Sequence, residues 1–217
     1  MPTLLVSCWD KGLFSVIGKT ARQELAGQTV RSLVDDGQGG VLAIVGSHSL
    51  YRRSSQGDWT EIAKSEAELS CCVPMGNSVF AGTDDARVLR FDSAGTEHDL
   101  TGFGQVAGRE KWYAGRAFID GRWMGPPLGA RSITATCDGA LLVNIHVGGI
   151  PRSTDAGATW HPTIEVDSDV HQVRAHPSRP ELVIAAAAVG LCVSRDGGAT
   201  WAIEQDGLHA PHCAAVA

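Results

Sequence analysis

Two eight-residue segments constrain this chain more than any other feature: Ser153-Thr154-Asp155-Ala156-Gly157-Ala158-Thr159-Trp160 and Ser194-Arg195-Asp196-Gly197-Gly198-Ala199-Thr200-Trp201. Both read Ser-x-Asp-x-Gly-x-Thr-Trp, and each follows an apolar run and a Gly. The pattern predicts a tight β-hairpin. The Asp carboxylate can accept backbone N–H groups of its own turn, the Gly supplies positive φ, and the Trp anchors the returning strand.

The two segments belong to a longer period. Asp155 and Asp196 are 41 positions apart, and Val30 and Leu69 are 39 apart. Each period reads as four short strands. The clearest is Val30–Val34, Val41–Val45, Ser49–Arg53 and Trp59–Ala63. Its hairpin, Ser54-Ser55-Gln56-Gly57-Asp58-Trp59, keeps the Ser, Gly and Trp types of the motif and has lost the Asp. Four short strands repeated about every 40 residues predict the blades of a β-propeller. Helical repeats fit worse, since they need 3.6-residue periodicity over long windows and 26 glycines in 217 residues are too many for that.

The motif resembles the Asp-box (BNR) repeat of sialidase-like and YVTN-type propellers. That resemblance implies an all-β propeller of four-stranded blades, with Asp-box turns on the face away from the ligand site. The expected blades cover residues 28–65, 66–100, 131–165 and 169–207, with a fifth made of 1–27 and 211–217. In that split blade, the C-terminal stretch around His212 would supply the first strand and close the ring. The alternative is that the five blades are a piece of a larger propeller. Residues 101–130 break the period and read as an aromatic-rich insertion or a degenerate blade, carrying Trp112, Tyr113 and Trp123. Long insertions of this kind are often functional.

The repeat register also places candidate site residues. In a propeller the first strands line the channel, and the loops between second and third strands open on the same mouth. Arg31, Arg131, His171 and His212 fall at first-strand starts; Asp84 and His146 fall in second-to-third loops. Arginines at a channel mouth favour an anionic ligand, through bidentate donors to carboxylate or phosphate. Arg31, Arg131 and Asp84, with Trp112 and Tyr113 as rings that can stack on a sugar or aromatic ligand, are the expected ligand-binding set. His146, His171 and His212 fall on consecutive blades and can hold a divalent metal ion. The plainer reading makes each of them a polar residue where strand pairing ends.

The sialidase resemblance stops at the repeats. Its Arg-Ile-Pro motif is missing, and neither Tyr51 nor Tyr113 has a convincing Glu partner. The expectation is a binding propeller for a small anionic ligand or a protein partner. A His-based metal hydrolase or lyase is the alternative, and a sialidase-like glycosidase is the weakest. A formal net charge of −6 with scattered basic residues argues against nucleic acid and anionic membranes as partners. No apolar run reaches membrane-spanning length, and the N-terminus lacks a signal-peptide pattern. Six cysteines with no C-x-x-C spacing read as reduced thiols of a cytoplasmic protein. An incomplete ring would expose strand edges and favour homo-oligomers.

Overall fold

The computed structural model describes residues 3–114, 117–124 and 128–217. Among the described residues six antiparallel sheets follow one another along the chain, four with four strands, one with three and one with two. The first blade holds β1 (Leu4–Ser7), β2 (Leu13–Ile17) and β3 (Thr20–Glu24). The second holds β4 (Val30–Asp35), β5 (Val41–Val45), β6 (Ser49–Arg53) and β7 (Trp59–Lys64). The third holds β8 (Leu69–Met75), β9 (Ser78–Thr83), β10 (Val88–Phe91) and β11 (Glu97–Asp99). A small hairpin, β12 (Ala117–Ile119) with β13 (Arg122–Met124), lies in the insertion. The fourth blade holds β14 (Ala130–Ala135), β15 (Leu141–Ile145), β16 (Pro151–Ser153) and β17 (His161–Pro162). The fifth holds β18 (Val170–Ala175), β19 (Val183–Ala187), β20 (Gly190–Ser194) and β21 (Ala202–Glu204). Each is a meander in which consecutive strands pair, and the fold is a β-propeller.

The apolar second strands explain how the blades stack. Leu42, Ile44, Leu141, Val143, Ala185 and Ala187 are buried, as expected of strands covered on both faces. Four core clusters fill the four interfaces between consecutive blades. Leu13, Val30 and Val45 join the first and second, and Ile44, Leu69 and Phe91 the second and third. Phe80, Ile133 and Val143 join the third and fourth, and Leu142, Val170 and Ala185 the fourth and fifth. Cys71 and Cys72 show the period of two directly: adjacent in β8, they enter different clusters on opposite faces. Burial pushes their thiols up to about 11 and about 12, so both stay protonated packing groups at neutral pH.

The two intact motif turns have the same bonding. Ser153 Oγ accepts the Gly157 amide at 2.9 Å and donates to Asp155 Oδ1 at 2.8 Å. Asp155 in turn accepts the Thr159 amide at 2.9 Å and the Thr159 hydroxyl at 2.6 Å. In the fifth blade Ser194, Asp196, Gly198 and Thr200 repeat these bonds at 2.7, 2.8, 2.9 and 2.6 Å. Gly157 and Gly198 sit at φ of 88° and 84°, which explains why the motif needs glycine there. Hydrogen bonds led by the Thr159 hydroxyl hold the Asp155 carboxyl down at about 2. For Asp196 burial pushes upward, and the bonds from Thr200, Ser194 and the Ala199 amide together outweigh it, again giving about 2.

Two features differ from the sequence expectation. Residues 211–217 form no strand and do not pair with β1. The segment lies against the fifth blade instead, where the Cys213 amide donates to Ala187 O at 2.9 Å and the Val216 amide to Gln172 Oε1 at 2.9 Å. It thus takes the place beside β18 that a following blade's first strand would occupy, without adding to the first sheet. The second difference is the insertion, which is part of the core. Phe103 is buried edge-on to Trp160 at 5.0 Å, and Trp112 is only 7% exposed. Gly102 fits because a Cβ there would meet Ala158 O at 2.1 Å. The side chain of Trp123 lies outside the described residues. Among the described residues no helix is long and apolar enough to cross a membrane.

Candidate functional site at the channel mouth

The inner strands β4, β8, β14 and β18 share one irregularity. The register slips between Arg31 and Leu33, Leu69 and Cys71, Ala130 and Ser132, and Val170 and Gln172. One residue is left out of the ladder each time: Ser32, Ser70, Arg131 and His171. A bulge frees a side chain from the strict in–out alternation of a strand and can aim it along the strand end. Side chains here reach to the next blade's inner strand or, from the fifth blade, to the C-terminal segment. Arg31 donates to Leu69 O at 3.1 Å, Ser70 to Ala130 O at 2.7 Å, and His171 Nδ1 lies 2.7 Å from Cys213 O. The ring of bulges therefore forms the rim of the channel.

Beside this rim lies a cavity of about 340 Å³ bounded by Ser7, Trp9, Arg31, Ser70, Asp84 and Arg131. It opens on the mouth, above a channel groove of about 460 Å³ between the four inner strands. Arg31 and Asp84 form an ion pair at 3.0 Å, both largely sheltered, so the Arg31 charge is partly met within the protein. Gly129 permits this packing, since a Cβ there would lie 2.9 Å from Asp84 Cα. Trp9 is 69% exposed at the cavity edge. Trp9 lies between β1 and β2, a loop that the split-blade register counts with those of Asp84 and His146, and this was the signal that could have marked it.

Of the expected pair Trp112 and Tyr113, Tyr113 is the one that faces solvent. It is 54% exposed, and its amide donates to Val147 O at 3.1 Å, next to His146. Trp112 requires a correction as a stacking platform. Its ring packs at 5.6 Å from Phe103 and under the Arg109 guanidinium at 4.6 Å, so protein already covers it.

The three histidines do come together. The His146 and His171 rings lie 5.5 Å apart, and those of His171 and His212 4.7 Å apart. A residue the register did not mark joins them: Asp169, whose Oδ1 is 3.1 Å from His146 Nε2 and 3.7 Å from His171 Nε2. His146, Asp169 and His171 form the closest set of ligand-type atoms, all within 4.8 Å of one another, with His212 flanking as an exposed ring. Burial pushes the His146 imidazole below its ordinary value, more than the nearby Asp169 raises it. Among the described residues, six of the eight non-glycine residues at positive φ stand on this face: Trp9, Leu25, Ser32, Ser47, Ala86 and Asp169. Backbone held in sparsely populated regions concentrates at functional surfaces.

No family model and no curated protein matches the chain. Among solved structures it is similar to an ancestral GH74 enzyme, at 13% identity and a TM-score of 0.58 over 82% of this chain. The chain spans about a quarter, 24%, of that enzyme's length. It is also similar to YCF48 bound to D1 peptide, at 16% identity and a TM-score of 0.42 over 92% of this chain and 76% of that one. At 13% identity the likeness to the GH74 enzyme is one of fold, in agreement with the bladed architecture described above.

Proposed function

We propose that this protein is an Asp-box propeller that binds an anionic group at its channel mouth, presented by a small molecule or by an acidic segment of a protein partner. The observation that carries this reading is the cavity bounded by Arg31, Arg131, Asp84, Ser70 and Trp9. Arg31 and Arg131 both line it, and guanidinium N–H groups are donors suited to a carboxylate or phosphate. Ser70 and Trp9 add a hydroxyl and an apolar plane. The Asp-box assignment rests on the matching turns at Asp155 and Asp196.

Asp84 gives the reading a test with a sign. If an incoming carboxylate or phosphate competes with Asp84 for Arg31, then Asp84→Asn should tighten binding by about fivefold, or ~1 kcal/mol. Arg131→Gln should weaken it at least tenfold, the loss of one charge-assisted contact at ~1.5–3 kcal/mol. Calorimetric titration with citrate, phosphate and a poly-glutamate peptide would read both changes and separate small anions from acidic polypeptides. Absence of binding by the wild-type protein, or equal binding by Arg131→Gln, would refute the proposal.

A further inference from the structure

We propose that His146, Asp169 and His171 form a binding site for a zinc-class divalent metal ion that bridges the fourth and fifth blades. The site shares no residue with the arginine cavity and stands on separate observations. In a tetrahedral zinc site with bonds of about 2.0–2.2 Å, neighbouring ligand atoms lie about 3.3–3.5 Å apart. Asp169 Oδ1 sits 3.1 Å from one imidazole Nε2 and 3.7 Å from the other, which brackets that separation.

The hydrogen bonding points the same way. Although His146 Nε2 is within reach of Asp169 Oδ1, that oxygen is buried and accepts no hydrogen bond. The N–H direction of the ring is therefore not aimed at the carboxylate. Two polar atoms in near contact without a proton between them have the geometry of two ligands converging on a third centre. His171 is also oriented as a ligand would be. Its Nδ1 is 2.7 Å from Cys213 O, which fixes the proton on Nδ1 and leaves the Nε2 lone pair facing Asp169.

The backbone holds the three groups in place. Asp169 adopts φ 50°, and its carbonyl accepts the Ala188 amide at 3.0 Å. His146 leaves the end of β15, where Val147 pairs with Tyr113. The donors thus come from two blades, and a bound ion would link them. Two imidazoles and one carboxylate suit Zn²⁺ better than Mg²⁺ or Ca²⁺, which prefer all-oxygen shells.

The test is calorimetric titration of the chelator-treated, full-length protein with Zn²⁺, alongside the Asp169→Asn and His171→Ala variants and, as a control, His48→Ala, which removes the histidine of the β5–β6 loop whose Nδ1 lies 3.1 Å from Ala67 O. About one equivalent should bind to wild type and to His48→Ala, with affinity at least tenfold lower in the other two. His171→Ala also removes the Cys213 contact and could unsettle the C-terminal segment. Asp169→Asn leaves that contact intact, so with unchanged circular dichroism it carries the test by itself. Wild-type protein that binds no stoichiometric Zn²⁺, or Asp169→Asn protein that binds as tightly as wild type, would overturn the site.

Discussion

Replacement of Glu24 by Gln tests how the first blade is fastened to the second. Glu24 ends β3 and is 9% exposed, and it takes both arms of the Arg53 guanidinium at 2.8 and 2.9 Å. The Trp59 indole N–H donates to the same carboxylate at 2.8 Å. The Arg53 hydrogen bond is the main reason this carboxyl is held at about 2 against an ordinary 4.5; burial opposes it, and Trp59 and Ser15 assist. A depression of that size corresponds to ~3 kcal/mol of stability at pH 7, at 1.36 kcal/mol per unit. The folded-state value is lowered, so the contribution is complete above about pH 4.5 and fades as pH falls towards 2. At pH 3 about 1.5 kcal/mol should remain. Urea denaturation followed by tryptophan fluorescence, at pH 7 and at pH 3, gives the difference between wild type and Glu24→Gln. That difference should shrink by ~2 kcal/mol between the two conditions. A pH-independent difference, or one below about 1 kcal/mol at pH 7, would show that the pair is not the tether argued here.

Two further changes probe the blade turns and the stacking. Ser194 is buried, and its hydroxyl satisfies the Gly198 amide at 2.7 Å, so Ser194→Ala should cost ~1–3 kcal/mol in urea denaturation by leaving that N–H without a partner. At Gly82, an added Cβ would stand 2.5 Å from Ala130 Cβ and 2.7 Å from Cys71 Sγ, so Gly82→Ala should lower stability by ~1–3 kcal/mol through overpacking between the third and fourth blades; an unchanged thermal midpoint would show that the interface can yield.

Local chemistry made the blades legible in the sequence. The Ser, Asp, Gly and Thr of each motif act within a single turn, so their spacing carries the whole device, and the bonds at Asp155 and Asp196 follow directly from it. Register then carried the argument to the mouth, because equivalent positions in successive blades face the same end. It brought His146, His171 and His212 together, and it paired Arg31 with Asp84 elsewhere on the rim. Features without a period were not legible. Trp112 lies in an insertion with no repeat to orient it, and only the tertiary structure shows Phe103 and Arg109 covering its ring. Asp169 sits one residue before β18, where other blades have Thr29, Glu68 and Gly129, so no repeat pattern marked it. The C-terminal stretch reads as a first strand by composition, yet its bonds go to Ala187 and Gln172 and not to β1.

The recurring bulge explains how one scaffold can carry different mouths. At Val30, Leu69, Ala130 and Val170, which open the inner strands, the side chains are buried between blades and their type is fixed by packing. The bulged positions one or two residues later hold Ser32, Ser70, Arg131 and His171, a spread of chemistry no buried ladder position would tolerate. An out-of-ladder residue has no cross-strand partner to match, so its replacement leaves the sheet register intact. Fold and function are thereby separated within a few residues of the same strand. The apolar neighbours keep the blades stacked, while the bulges decide whether the rim offers a guanidinium on one side or an imidazole on the other.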